Sequence, residues 1–270
     1  MSIHTPKIDR KVTVRTIASM KGREPIVMIT AYDALFASIF DAKAEIILVG
    51  DSLNMSFLGE KDTLGTTLDQ MIYHTRAVCN GSSLSMVVLD MPFGSYMTPD
   101  QALENAVRVY RETCADAVKI EGGAERAETV ARLTSNGIAV VSHIGLMPQF
   151  VRSEGGYRVR GRSEEDIETL IEDAKALEEA GAFMIILEGM KSEAAERITR
   201  EVSIPTVGIG AGPDTDGQVL VWSDMFGFFR EFKPRFVKRY MDGADMVGEA
   251  LDSYISEVKS GKFPDEKHCY

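Results

Sequence analysis

Cysteine is scarce and unpatterned in this 270-residue chain: Cys79, Cys114 and Cys269 are odd in number and show neither metal-ligand nor redox spacing. The expectation is therefore unpaired thiols in a reducing cytoplasm. Basic charge is short as well. Lys and Arg number 30 against 41 Asp and Glu, a net charge of -11, and the basic residues are scattered. Backbone-phosphate affinity needs clustered cations, so nucleic acid is not an expected partner. No apolar run approaches the ~20 residues of a membrane span, and the first 21 residues lack an apolar signal core, so no membrane role is expected. His4, His74 and His268 lack ligand spacing, which argues against zinc. There is no low-complexity tract, no linker and no repeat beyond an alternation of strand-like and helix-like segments.

That alternation is the main signal. Eight short apolar runs recur: Ile26–Ala31, Glu45–Gly50, Ser85–Asp90, Asp116–Glu121, Ile138–His143, Phe183–Glu188, Ile204–Ile209 and a weaker Val219–Trp222. Helical patterns follow most of them, at Ala34–Lys43, Thr67–Asn80, Pro99–Cys114, Ala124–Ser135, Ser163–Ala180 and Ser192–Glu201. Strand-length β-branched runs between helices mean parallel βαβ units, and about eight units close into a (β/α)8 TIM barrel of about 250 residues. The expected organisation is one α/β barrel domain over 1–270. It carries an N-terminal helical arm within 1–24, with the helix over Lys7–Gly22 plugging the lower end, a last helix at Ala244–Val258 and a polar tail over 259–270.

In such a barrel the strand C-termini share one mouth, which collects Asp51, Asp90, Lys119, Glu121, His143 and Glu188. Asp51 and Asp90 each end an apolar strand. Paired buried carboxylates repel unless a cation or proton separates them, and Mg2+ suits hard oxygen ligands; helix capping is the competing role. Lys119 and Glu121 are two apart on one strand and so point the same way, inward. They form either a mutual salt bridge or, respectively, an anchor for a substrate carboxylate and a support for the metal, direct or through water. Glu188 ends an apolar strand, where partial desolvation raises proton affinity toward that of a general base; a surface or capping role is the alternative. His143 could orient a ligand or be a hydrogen-bonded structural residue. The Tyr32-Asp33 pair offers a hydroxyl or a simple turn. The glycines Gly208, Gly210 and Gly212 sit where many barrels grip phosphate, a weak signal alone. Two long connections, Asp51–Thr66 and Ile144–Arg162, lie on the same face. The second mixes Gly155, Gly156 and Gly161 with Arg152, Arg158, Arg160 and Arg162, either a basic flap over an anion or a solvated loop.

The segments MITAYDA (Met28–Ala34), VGDSLNM (Val49–Met55), LDQMIYHTRAV (Leu68–Val78), LDMPFGSY (Leu89–Tyr96), VKIEGG (Val118–Gly123), HIGLMPQ (His143–Gln149), GGYRVRGR (Gly155–Arg162), ILEGM (Ile186–Met190) and GIGAGPDTDGQVLV (Gly208–Val221) occur in order. In them the chain resembles the ketopantoate hydroxymethyltransferase family from about Lys7 to Ala250. The resemblance implies a (β/α)8 barrel that transfers a hydroxymethyl group from 5,10-methylenetetrahydrofolate to 3-methyl-2-oxobutanoate, opening pantothenate synthesis. It implies Mg2+ held by Asp51 and Asp90 with Glu121 in the same site. Asp51, Ser52, Asp90 and Lys119 would hold the keto acid, and Glu188 would accept the proton. It further implies a homo-oligomer, often a decamer. A Mg2+-dependent keto-acid lyase or mutase of a related barrel family is the rival enzyme, and a noncatalytic metabolite-binding barrel the rival class; inward charge without a task argues against the latter.

Overall fold

The computed structural model describes residues 8–229 and 234–270. In chain order the elements are α1 (Val14–Met20), β1 (Ile26–Thr30), α2 (Ala34–Phe40), β2 (Ile46–Val49), α3 (Leu53–Ser56), α4 (Leu68–Gly81), β3 (Met86–Asp90), α5 (Pro99–Glu112), β4 (Ala117–Glu121) and α6 (Ala127–Thr134). There follow β5 (Val140–Gly145), α7 (Glu164–Glu179), β6 (Met184–Glu188), α8 (Ser192–Glu201), β7 (Thr206–Ile209), β8 (Gly217–Leu220), α9 (Trp222–Met225) and α10 (Gly243–Lys259). Each strand pairs in parallel with its successor and β8 closes on β1, so the expected eight-stranded barrel forms. The eighth strand begins earlier than its pattern indicates, and Trp222 starts a helix rather than ending the strand.

Side-chain alternation sets what fills the barrel. Ile26 and Met28, Ile46 and Leu48, Met86 and Val88, Ala117, Val141, Met184 and Ile186, Val207 and Ile209, and Val219 form one buried cluster. Two-residue spacing makes these the inward positions. Continued to the strand C-termini, the same spacing reaches Asp90, Lys119, Glu121, His143 and Glu188. The polar residues are thus the top layer of the interior, resting on an apolar floor.

The lower end is closed by α1. Val12, Ile17 and Met20 join the barrel cluster, as an arm plugging that end requires. The arm is less helical than its pattern suggests. A capping box between Thr13 and Thr16 starts the helix at Val14. Before it, Ile8 N–H donates to Ala42 O (3.2 Å) and Val12 N–H to Leu84 O (2.7 Å) rather than within a helix. Residues 1–7 of the expected arm lie outside the described residues.

Carboxylates also stand where strands begin, with a different task. Glu45, ahead of β2, accepts Val27 N–H (2.7 Å); Asp116, ahead of β4, accepts Val87 N–H (2.8 Å); Asp216, ahead of β8, accepts Thr206 N–H (2.9 Å). Each satisfies a backbone donor on the neighbouring strand. Lys21 reaches Asp216 (2.8 Å) and Lys11 reaches Asp116 (2.7 Å), tying the arm to that rim.

The expectation of unpaired thiols is corrected: Cys79 and Cys114 form a disulfide, with Cα atoms 5.8 Å apart, and Cys269 alone is free. Sequence spacing hides this pair because the two lie 35 positions apart, with β3 between them. In a βαβ ring successive helices run the same way, so the last turn of α4, with Cys79, meets the residues just past α5, with Cys114.

The chain falls into two compact units, divided between Val221 and Trp222. In the second, Trp222 and Phe228 meet edge to face (5.2 Å), and a Cβ at Gly243 would come within 2.6 Å of Phe226 O. Along α10, Met246, Val247, Leu251 and Tyr254 are exposed. No described helix is long and apolar enough to cross a membrane.

Candidate active site

Strand pairing sets the neighbours at the mouth. Asp90 lies beside Lys119 across β3 and β4, and Glu121 beside His143 across β4 and β5. Lys119 Nζ is 2.9 Å from Asp90 Oδ1 and 3.4 Å from Glu121 Oε1. Asp51, just past β2, donates its backbone N–H to Asp90 Oδ2 (3.3 Å). Asp51, Asp90, Lys119, Glu121 and His143 are all buried, and Glu188, with 20% of its side chain exposed, stands at the rim. The six expected residues are therefore brought together. Two features let the strand ends meet: Gly145 takes φ 104°, and a Cβ there would lie 2.2 Å from Glu188 O.

Three buried carboxylates face one ammonium, and the electrostatics follow. Burial, then the charges of Asp90 and Glu121, push the Asp51 carboxyl well above its ordinary range. Burial also raises Asp90, although Lys119 pulls the other way. For Lys119, burial opposes the charge, but Asp90, Glu121 and Asp51 outweigh it and hold the amine protonated. For Glu121, burial is outweighed by Lys119, His143 and the Gln149 N–H, so its pKa falls. The Asp51–Asp90 pair remains short of positive charge, and Asp90 Oδ1 has no aligned hydrogen-bond donor. Hard oxygen donors in that state fit a divalent cation. Neither aspartate caps a helix: the N-cap of α3 is Ser52, without a side-chain cap bond. Among the described residues no three His, Cys, Asp or Glu side chains close into a ligand set, and Glu121 is instead tied to Lys119, His143 and Gln149.

His143 links the cluster to the rim. Its Nδ1 is 3.1 Å from Lys119 Nζ and 3.5 Å from Glu121 Oε1, and its Nε2 is 3.2 Å from Glu188 Oε2. Accepting from Lys119 at Nδ1 leaves the ring proton on Nε2. Burial and Lys119 disfavour the imidazolium, yet Glu121 and Glu188 outweigh them and raise the pKa. In both states Nε2 bears a proton and faces Glu188.

Ser52 bonds Tyr32 OH (2.8 Å), and burial pushes the Tyr32 phenol up to about 12. Asp33 is the turn residue, capping α2 through Leu35 and Phe36 N–H. The two long connections meet: Arg152 pairs with Asp62 (3.0 Å). Arg160 pairs with Asp166 (2.7 Å), so these two arginines are engaged within the chain rather than reserved for an anion. The residue that sequence reasoning passed over is Gln149, buried against Asp51 and Glu121; its only signal was its place in the HIGLMPQ segment.

A closed barrel whose strand C-termini gather buried acids, a lysine and a histidine defines a barrel enzyme. Solved structures share that fold. A phosphonopyruvate hydrolase aligns at a TM-score of 0.60 with 12% identity, covering 95% of this chain and 92% of its own. A phosphoenolpyruvate phosphomutase from Streptomyces platensis subsp. rosaceus aligns at 0.59 with 13% identity, covering 96% and 92%. At such identities the likeness concerns the fold alone. Sequence relatives are far nearer. A 3-methyl-2-oxobutanoate hydroxymethyltransferase of Aliarcobacter butzleri is 58% identical over 96% of this chain and 97% of its own. One of Helicobacter pylori is 53% identical over the full length of both. Residues 11–266 match the family Ketopantoate hydroxymethyltransferase, and the chain belongs to that family. It is an enzyme of the transferase class, a hydroxymethyltransferase.

Proposed function

We propose that the chain moves the one-carbon unit of 5,10-methylenetetrahydrofolate to 3-methyl-2-oxobutanoate, with one water consumed, giving 2-dehydropantoate and tetrahydrofolate at the start of pantothenate synthesis. The acceptor is the one in the names of the relatives. The observation that carries the proposal is the buried Asp51–Asp90 pair beside Lys119, with Glu188 at the rim.

Asp51 and Asp90 would hold Mg2+, with Glu121 at its margin. When bound, the ion supplies Lewis-acid polarisation of the keto oxygen, which acidifies the C3–H. Lys119, protonated, pairs with the keto-acid carboxylate, and Ser52, held by Tyr32, offers it a hydroxyl. Glu188 takes the C3 proton, and His143 Nε2–H steadies the carboxylate that does so. The contact is close without being aligned, as catalytic hydrogen bonds often are before substrate arrives. The enolate carbon forms the new C–C bond to the donor's one-carbon unit as the two C–N bonds of that unit break. Water supplies the hydroxyl oxygen and its hydrogens go to the two freed nitrogens, while the C3 proton ends on the new hydroxyl.

Purified protein is assayed with the keto acid, formaldehyde-charged tetrahydrofolate and Mg2+, with and without chelator. Product should need all three components. Turnover of the keto acid without folate would replace the transferase proposal by lyase chemistry.

A homo-oligomer, a decamer by family resemblance, belongs to the same proposal and is supported by the exposed apolar residues of α10; light scattering measures it. A cytoplasmic setting belongs to it too. The Cys79–Cys114 pair bears on that point, since disulfides persist in oxidising compartments, and thiol titration of protein isolated anaerobically decides it.

A further inference from the structure

Gln149 sits on the connection after β5, among residues that are exposed or half-buried, yet it is itself only 3% exposed. Both amide hydrogens and the amide oxygen of its side chain are engaged. Nε2 donates to Asp51 Oδ2 (2.9 Å) and to Met91 O (2.9 Å), and Oε1 accepts from Tyr96 OH (2.5 Å). Its backbone N–H donates to Glu121 Oε2 (3.0 Å), and Glu121 N–H donates back to the Tyr96 oxygen (3.3 Å). The amide orientation is determined, because a flip would set Oε1 against two other oxygens.

The consequence falls on the carboxylates. Gln149 occupies Asp51 Oδ2, and Oδ1 is the oxygen it does not take. Both oxygens of Glu121 are engaged within the chain, Oε1 near Lys119 and His143 and Oε2 by Gln149. We infer that Gln149 is a positioning residue: it turns Asp51 so that Oδ1 is presented to a divalent cation, and it holds Glu121 back from direct ligation. This rests on Asp51 being a cation ligand. Partners behind metal-binding carboxylates fix their orientation, and losing one costs about 10–100-fold in metal affinity.

The test is calorimetric titration of the full-length protein with Mg2+ alone, and with Mn2+ alone followed by electron paramagnetic resonance, beside thermal melts. Gln149→Ala should weaken both ions by about 10–100-fold. Gln149→Asn, one methylene short of spanning Asp51 and Tyr96, should fail to restore them. A purely structural role would lower the melting temperature and leave ion affinity unchanged. If Gln149→Ala does not fold, Tyr96→Phe, which removes the hydroxyl that donates to Oε1 and accepts from Glu121 N–H, carries the test and should weaken the ions to a lesser degree. Asp51→Asn separates the two claims. Loss of binding in Asp51→Asn with wild-type binding in Gln149→Ala or, failing that, Tyr96→Phe overturns the role of Gln149 and leaves the metal proposal standing. Wild-type binding in Asp51→Asn overturns both.

Discussion

His143 Nε2 stands 3.2 Å from Glu188 Oε2 while its Nδ1 stands 3.1 Å from Lys119 Nζ, so one imidazole spans the gap between the proposed substrate anchor and the proposed base. Glu188→Gln keeps size and hydrogen bonding but accepts no proton. Deuterium exchange at C3 of 3-methyl-2-oxobutanoate, followed by NMR at saturating Mg2+, should fall by roughly 10²–10⁴, with keto-acid binding retained by calorimetry. His143→Ala should lower kcat less than Glu188→Gln does and leave KM for the keto acid nearly unchanged. Exchange at the wild-type rate in Glu188→Gln would move the base to another carboxylate, Glu121 being next.

The second prediction concerns Asp90, whose Oδ1 lies 2.9 Å from Lys119 Nζ and has no aligned hydrogen-bond donor among the described residues. Asp90→Asn keeps the volume and removes a charge, so Mg2+ affinity and turnover should fall together. Asp51→Asn should behave alike. Because both would serve one ion, the double variant should cost much less than the sum of the two. Additive losses, measured as metal affinity, would mean that the two aspartates act separately.

Lys119 has two competing jobs, balancing Asp90 and Glu121 or receiving a substrate carboxylate. Lys119→Met keeps the apolar stem and deletes the charge. The expected result is a weakened keto-acid affinity with circular dichroism and quaternary size unchanged. A variant that instead melts early, while its folded fraction binds keto acid normally, assigns Lys119 to structure.

Much of this site is legible in the sequence because strand geometry is periodic. Lys119 and Glu121 two apart on an apolar run must share a face, and the run's C-terminal end must lie at the barrel mouth. Asp90 and Glu188 follow from the same rule. Position along a strand also separates tasks: Glu45 and Asp116 begin strands and satisfy backbone donors, whereas Asp90 and Glu121 end strands and meet the site. Contacts made by irregular chain have no such period. Gln149 reaches Asp51 across 98 positions from a loop, and Cys79 finds Cys114 only once two helices lie side by side. The start of α1 differs from the apolar stripe, which runs past the capping signal at Thr13 that fixes it.

The last prediction lies away from the chemistry, at Asp41, which follows α2 and holds the segment leading into β3. Its Oδ1 accepts Ser82 Oγ (3.0 Å), Leu84 N–H (2.9 Å) and Ser85 N–H (2.8 Å), and its Oδ2 accepts Ser83 N–H (3.0 Å). Burial opposes the charge, but these donors outweigh it and hold the carboxyl far below its ordinary range. A pKa depressed on folding stabilises the protein above the unfolded value of about 3.9, and that contribution is lost as pH falls through the folded value. Asp41→Asn turns an amide against Ser83 N–H and should cost about 1–3 kcal/mol at pH 7. Urea midpoints of wild type and variant, taken from pH 7 downward, should differ by a constant amount until about pH 4 and converge below it. A gap that persists unchanged into strong acid would show that the charge on Asp41 contributes nothing and that shape alone explains the loss.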